Sequence, residues 1–222
     1  IRQPLAASVG SASTAFAYAN NGNMLNSGIE IQLGHENSIG NFKYSINGNV
    51  ATLANKLKYL PSGSIVGGAV GSTYLTLTEE GQPVGSFYLY EMEGIFQNAA
   101  QVFTHANQGN NIKPGDVMYK DQDGNGIIDG RDRKHVGSAI PKVTAGLNVT
   151  MSYKGFDLSL FFQGAYGQKV FSVLNRDIEG FYRPFNVTER YYENHWTGEG
   201  TSNEFPRASW DASGNNNLFS TR

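Results

Sequence analysis

Val143-Thr144-Ala145-Gly146-Leu147-Asn148-Val149-Thr150-Met151-Ser152-Tyr153 leads into Lys154-Gly155 and then into Phe156-Asp157-Leu158-Ser159-Leu160-Phe161-Phe162-Gln163. In the first run Val143, Ala145, Leu147, Val149, Met151 and Tyr153 alternate with Thr144, Gly146, Asn148, Thr150 and Ser152. In the second, Phe156, Leu158, Leu160 and Phe162 alternate with Asp157, Ser159 and Gln163. Successive side chains of a strand point to opposite faces, so each run has one apolar and one polar face. Two residues ending in glycine between such runs predict an antiparallel hairpin.

The chemistry of the two faces narrows the setting. A soluble sandwich turns Lys, Glu and Thr to water, whereas the polar side here is small and mostly uncharged. The apolar side carries no charge, as expected of a face against lipid, where Lys or Arg near the midplane costs about 2–4 kcal/mol. The run 142–153 matches the roughly 9–11 residues of a tilted membrane-crossing strand, and Tyr153 and Phe156 flank the turn where an aromatic girdle would sit. A soluble sandwich with a well-covered inner face shows the same pattern and remains the alternative.

Working outward, residues 28–34 place Ile29, Ile31 and Leu33 opposite Glu30 and Gln32, and after a turn at about His35 to Asn41 the set Phe42, Tyr44, Ile46, Gly48 and Val50 shares a face. Between the two hairpins runs a stretch from Asn55 to Ile140, and a second long stretch follows Gln163. Membrane barrels have short turns on the periplasmic side and long loops outside. Two short turns on one side therefore put both long stretches on the other, outside the cell.

The first long stretch contains Asp121-Gln122-Asp123-Gly124-Asn125-Gly126-Ile127-Ile128-Asp129-Gly130-Arg131-Asp132. Its oxygens fall at the spacing of a calcium loop, with side chains of Asp121, Asp123, Asn125, Asp129 and Asp132, the carbonyl of Ile127, and a glycine at position six. The twelfth position is Asp rather than the longer, bidentate Glu, so a weaker or differently shaped Ca2+ site is expected. The flanks read as extended, which excludes a helix-loop-helix sensor. A metal-free Asp/Asn/Gly turn is the other reading.

Composition agrees with a weakly charged β protein: 39% apolar and 16% charged residues, 27 glycines and net charge −2. Such a balance offers nucleic acid no basic surface. With no cysteine, neither disulfides nor thiolate metal sites are available, and no apolar run reaches the ~18 residues of a membrane helix. Neither a serine-nucleophile elbow, a phosphate-binding glycine loop nor a zinc motif is present, and clustered acids suit a cation better than a general acid; the chain is not expected to be an enzyme. His35, His105, His135 and His195 lack metal-ligand spacing and read as surface or hydrogen-bonded residues. Asn148-Val149-Thr150 and Asn186-Val187-Thr188 match the glycosylation pattern by chance.

Several blocks together carry a family resemblance: Asn26-Ser27-Gly28-Ile29-Glu30-Ile31; Pro83-Val84-Gly85-Ser86-Phe87-Tyr88 with Glu93-Gly94-Ile95-Phe96; Gly115-Asp116-Val117-Met118-Tyr119-Lys120-Asp121; Tyr153 to Gly164; and His195-Trp196-Thr197 with Phe205-Pro206-Arg207. The chain resembles the C-terminal part of a SusC/RagA-type TonB-dependent outer-membrane transporter of the Bacteroidetes. The resemblance implies an all-β fold, part of a transmembrane antiparallel β-barrel that is 22-stranded in the family, with a plug domain, a TonB complex as energy source and a SusD-like lipoprotein lid. It also implies an oligosaccharide or peptide substrate and contact with outer-membrane lipid. The chain is accordingly expected to be a fragment of the C-terminal barrel half, with strands near 26–34, 42–53, 142–153 and 156–166 and external loops at 54–140 and 167–222. Plug and closing strands are absent, and the remaining barrel segments must come from elsewhere.

Asn186-Val187-Thr188-Glu189 resembles a capping box, so a short helix is expected over the following residues. Of the aromatic residues around it, Tyr182, Tyr191 and Trp196 are candidates for stacking on a substrate, although packing of the long loop against its neighbours is the commoner use of such rings. A different class of function also fits these residues: a secreted, soluble, calcium-stabilised β module that binds a glycan.

Overall fold

A computed structural model describes residues 2–4, 16–18, 22–71, 73–181, 185–210, 213–216 and 218–221. In chain order the elements are β1 (Arg2–Pro4), β2 (Phe16–Tyr18), β3 (Asn23–Ser27), β4 (Glu30–Ile39), β5 (Phe42–Thr52), β6 (Ala54–Tyr59), β7 (Ser64–Val70), β8 (Thr73–Glu79), β9 (Ser86–Tyr90) and β10 (Met92–Ile95). Then follow α1 (Ala99–Thr104), β11 (Val117–Tyr119), β12 (Arg133–Gly137), β13 (Val143–Tyr153), β14 (Phe156–Tyr166), α2 (Val173–Glu179), α3 (Glu189–Asn194) and α4 (Ser213–Asn216). The chain divides into two compact units, one of residues 1–67, 77–86 and 137–169, the other of residues 68–76, 87–136 and 170–222.

The first unit is built on an antiparallel sheet of order β14-β13-β5-β4. Both predicted hairpins form, and β13 joins them by pairing with β5 from Val143↔Thr52 to Tyr153↔Phe42. In the hairpin turn Lys154 and Gly155 both take positive φ, 47° and 87°, as a tight two-residue connection requires. The first hairpin turns at Gly40 (φ 61°) and Asn41, not over His35 to Asn41, because β4 stays paired through Ile39↔Phe42. His35 to Ser38 are polar on both faces, which disguises a strand end as a turn.

The register aligns one face of the sheet across all four strands. Leu33, Gly48, Leu147 and Phe162 form one row, and His35, Ile46, Val149 and Leu160 the next. At the turn end Ile39, Phe42, Tyr153 and Phe156 line up, with Tyr44 stacked on Phe42 at 5.8 Å. The opposite face carries Gln32, Asn49, Gly146 and Gln163, then Gly34, Asn47, Asn148 and Phe161. A Cβ on Gly34 would lie 2.6 Å from Asn47 Oδ1, and one on Gly146 2.6 Å from Asn49 Oδ1; the asparagine side chains lie flat across these glycines. Phe161 is the apolar exception on this polar face.

The hairpin β4–β5 is prolonged by β3 pairing with β6. Between the two ladders Ile29 and Thr52 exchange backbone and hydroxyl hydrogen bonds. A Cβ on Gly28 would stand 1.9 Å from the Thr52 carbonyl oxygen, so only glycine fits this break. The expected single strand near 26–34 is therefore two strands divided at Gly28.

A second four-stranded sheet has the order β12-β9-β8-β7, and β10 pairs with β11 in the second unit. One apolar cluster centres on Leu75, Leu89 and Phe219, another on Ile95, Val117 and Tyr119. The open edge of β11 is closed by side chains in place of a strand. Asn216 Oδ1 accepts from Val117 N (2.9 Å), Asn215 Nδ2 and Gln108 Nε2 donate to the Val117 carbonyl, and Gln108 Oε1 accepts from Tyr119 N (2.7 Å). Side-chain amides here supply the donors and acceptors that a neighbouring strand would otherwise provide.

Candidate functional site

The acidic loop lies between β11 and β12, so its flanks are strands, as their extended pattern predicts. Gly124 and Gly126 take φ of 72° and 82°, and this left-handed backbone turns both N–H groups onto Asp121: Gly124 N donates to Oδ1 at 2.7 Å and Gly126 N to Oδ2 at 2.8 Å. These bonds, the Gly126 one foremost, hold the Asp121 carboxyl below the usual carboxylate range. Asp132 is fully buried and closes the base of the loop, accepting from Gln122 N (2.8 Å) and Asp129 N (2.7 Å).

The loop brings together the carboxylates of Asp121, Asp123 and Asp132, which present oxygens within 4.8 Å of one another. The other predicted ligands are held differently. Asn125 Oδ1 accepts from Ile127 N at 2.7 Å, and Ile127 bridges to Asn107. Asp129 caps the 3-10 turn Gly130–Asp132 and takes the Arg131 guanidinium at 2.8 Å, which holds its carboxyl below the usual range. Arg131 Nε is also 3.8 Å from Asp123. Three convergent carboxylates, one of them buried, form an all-oxygen set of the kind a hard cation takes, and burial of the Asp132 charge is costly unless charge of the opposite sign stands near.

The loop is tied into its own unit through Glu91. Gln122 Nε2 donates to Glu91 at 2.9 Å, Lys134 makes a short ion pair with the same oxygen, and Lys120 lies 3.8 Å away. The hydrogen bond from Lys134 is the main reason the Glu91 carboxyl is held low. Beside the loop, a cavity of about 420 Å³ is lined by Glu93, Thr104, His105, Lys120 and Asp121, among others.

The aromatic candidates lie elsewhere in the unit. Thr188, rather than Asn186, caps α3, accepting from Tyr191 N at 3.1 Å. Tyr191 is 1% exposed, donates its hydroxyl to the Pro206 carbonyl at 2.8 Å and packs between Phe181, His195 and Phe205. A ring so enclosed presents no face to a ligand. Trp196 is half-buried against Ile95, Val117 and Tyr119 and donates Nε1–H to Gln97 at 3.1 Å. Tyr182 lies outside the described residues. Three histidines are within hydrogen-bond distance of partners, as expected: His35 of Tyr44 Oη, His105 of the Ala106 carbonyl and His195 of the Tyr192 carbonyl.

Sequence reasoning missed a buried ion pair at the centre of this unit. Asp116 is fully buried; Arg207 Nε donates to it at 2.7 Å, and it also accepts from Lys113 N and Asn216 Nδ2. The adjoining Gly115 (φ 91°) has no room for a Cβ, which would lie 2.5 Å from the Trp196 ring. Gly94, Ile95 and Phe96, Gly115 and Asp116, Trp196, and Phe205 to Arg207 thus belong to one packed hub. Those separated blocks are among the ones that carry the family resemblance.

No family model matches the chain. TonB-dependent receptor P3 of Formosa agariphila is 34% identical to it over 157 residues, 68% of this chain and 16% of that protein. TonB-dependent receptor P26 of the same bacterium is 34% identical over 102 residues, 44% of this chain and 10% of that protein. Among solved structures, the RagAB peptide transporter superposes on 96% of this chain with a TM-score of 0.62 and 18% identity, over 23% of the transporter chain. Sequence similarity places the chain with the TonB-dependent receptors, and its fold matches that of part of the RagAB peptide transporter. It spans about a sixth of the length of the first curated relative. The mostly β, antiparallel architecture that it shares with the RagAB peptide transporter includes the long wall-like sheet of the first unit.

Proposed function

We propose that the chain supplies wall and external loops to an outer-membrane channel that imports oligosaccharides or peptides. The wall sheet carries this reading. Eleven-residue strands rise about 36 Å and, at a tilt near 40°, span about 28 Å of membrane, close to the ~25 Å apolar band of such barrels. Leu33 is 73% exposed on the apolar face, Phe162 57% and Phe156 81%. A soluble glycan-binding module would leave these large apolar side chains against water on one face of the sheet. Lipid on that face removes the conflict.

The long connections leave the wall sheet at the end opposite its tight turns: Lys142 bonds across to Leu53 and Tyr166 there. With the turns periplasmic, both long segments face the exterior, where a SusD-like lipoprotein would cover them. Energy from a TonB complex would enter through parts of the receptor outside this chain. In the same reading Asp121, Asp123 and Asp132 hold a structural Ca2+, with Asn125, the Ile127 carbonyl and Asp129 as further ligands after local adjustment. The decisive experiment is fractionation of the complete polypeptide: recovery from membranes only with detergent is expected, and a monodisperse folded protein in plain buffer would refute the proposal.

A further inference from the structure

Asn125-Gly126 stands in the acidic loop with both residues exposed. A glycine after asparagine leaves the following backbone nitrogen unshielded, and nothing lies within 4 Å of where a Cβ on Gly126 would be. The wall contains another such step, Asn47-Gly48, locked into the ladders of β5. Three contacts distinguish Asn125. Its Oδ1 accepts from Ile127 N at 2.7 Å, an Asx turn whose hydrogen bond polarises the side-chain carbonyl. Its Nδ2 donates to Asp123 Oδ2 at 2.9 Å. The Gly126 N–H points at Asp121 Oδ2, 2.8 Å away.

We propose that Asn125 is a site of spontaneous intramolecular deamidation, promoted by the groups arranged around it. The Gly126 nitrogen attacks Cγ of Asn125 and passes its proton to Asp121 Oδ2, while the charge developing on Oδ1 faces the Ile127 N–H. The Cγ–Nδ2 bond then breaks, and the proton taken by Asp121 passes through solvent and Asp123 to Nδ2, which leaves as ammonia. The cyclic imide so formed adds water at either carbonyl, giving aspartate or isoaspartate at position 125; water is the only reactant consumed. Each product adds one negative charge beside Asp121, Asp123 and Asp132. Isoaspartate also inserts a carbon into the main chain and so alters the turn that aims Gly126 at Asp121.

A bound cation would occupy the oxygens of Asp121 and Asp123 and suppress the step, a consequence that rests on the calcium reading above. The test incubates the complete polypeptide in detergent at neutral pH, with chelator or with calcium chloride, and follows each asparagine by peptide mass mapping and enzymatic isoaspartate assay. In chelator, Asn125 is expected to convert roughly tenfold faster than Asn47, and Asp121→Asn to slow it roughly tenfold, a modest share of what a positioned proton acceptor contributes in enzymes. Asp123→Asn, the second variant, is expected to slow it as well. Equal conversion at Asn125 and Asn47 overturns the proposal, as does faster conversion in both variants, which would mean that a loosened loop, not its carboxylates, sets the rate. If Asn125 converts as expected but calcium has no effect, the calcium reading falls and the modification site stands.

Discussion

Leu147 sits near the middle of β13, between Gly48 of β5 and Phe162 of β14, on the apolar face of the wall; its neighbour Asn148 points to the opposite face. Arginine at position 147 would place a guanidinium near the bilayer midplane if that face meets lipid, at a cost of about 2–4 kcal/mol. That cost lowers the folded-to-unfolded ratio by about thirty- to seven-hundredfold. Arginine at position 148 meets a polar surface and is expected to cost far less. Depth supplies a second axis: Tyr153→Arg, at the aromatic rim, should cost about 0–1 kcal/mol. Each variant of the complete polypeptide is refolded into vesicles and titrated with urea, the folded fraction being read from gel mobility without heating. Equal destabilisation by Leu147→Arg and Asn148→Arg would refute the lipid-facing assignment, and a flat profile between positions 147 and 153 would refute the orientation of the strand across the bilayer.

In the acidic loop, Asp121→Ala combined with Asp123→Ala is expected to abolish bound calcium by metal analysis and to open the second unit to limited proteolysis; unchanged behaviour in both rejects the site. Asp121 is depressed by its backbone hydrogen bonds, so its contribution to loop order is complete above the unfolded value near ~3.9 and is lost as pH falls through the lower folded value. Cleavage within residues 120–133, followed in chelator against pH, should therefore rise only in strong acid, and a rise at neutral pH would contradict the sign. Arg207→Ala strands the buried Asp116 charge and should destabilise the second unit by about 3–5 kcal/mol, seen as protease sensitivity. Gly115→Ala forces a Cβ into Trp196 at positive φ and should cost about 1–3 kcal/mol in the same assay.

The wall was legible because its information is local. Period-two alternation assigns the faces of Val143–Tyr153 and Phe156–Tyr166, and the two-residue Lys154-Gly155 turn then leaves one register. The pairing of β13 with β5 was not readable, since residues 53–142 separate them and a strand edge carries no label for its distant partner. His35 to Ser38 were misjudged because polar residues at a strand end resemble turn chemistry. At the candidate site, spacing alone brings forward the three carboxylates that the fold gathers, Asp121, Asp123 and Asp132, whereas Asp129 pairs with Arg131, a contact the calcium-loop pattern takes no account of. Tyr191 could not be told from a ligand-stacking ring, because aromatic residues serve core and cleft with the same side chain. The Asp116–Arg207 pair depends on a contact across 91 positions, which no window along the chain detects.

The chemistry of the second unit explains why a cation would matter there. Among the described residues its apolar clusters are small, Leu75, Leu89 and Phe219 in one and Ile95, Val117 and Tyr119 in the other. Its order depends instead on polar closure: amides along β11, the Asp116–Arg207 pair, and Glu91 joining Gln122, Lys120 and Lys134. Asp132 links the acidic loop to that network through the backbone of Gln122 and Asp129. A ligand that binds only the folded unit stabilises it by about 2.7 kcal/mol at a hundred times its dissociation constant. Under the calcium reading proposed above, an ion at exterior concentrations would fill even a weak site and lend this unit order that its apolar core does not supply. Under the same reading a chelator is expected to loosen the second unit while the sheet of the first unit, held by its ladders, stays folded; simultaneous loss of both would refute that expectation.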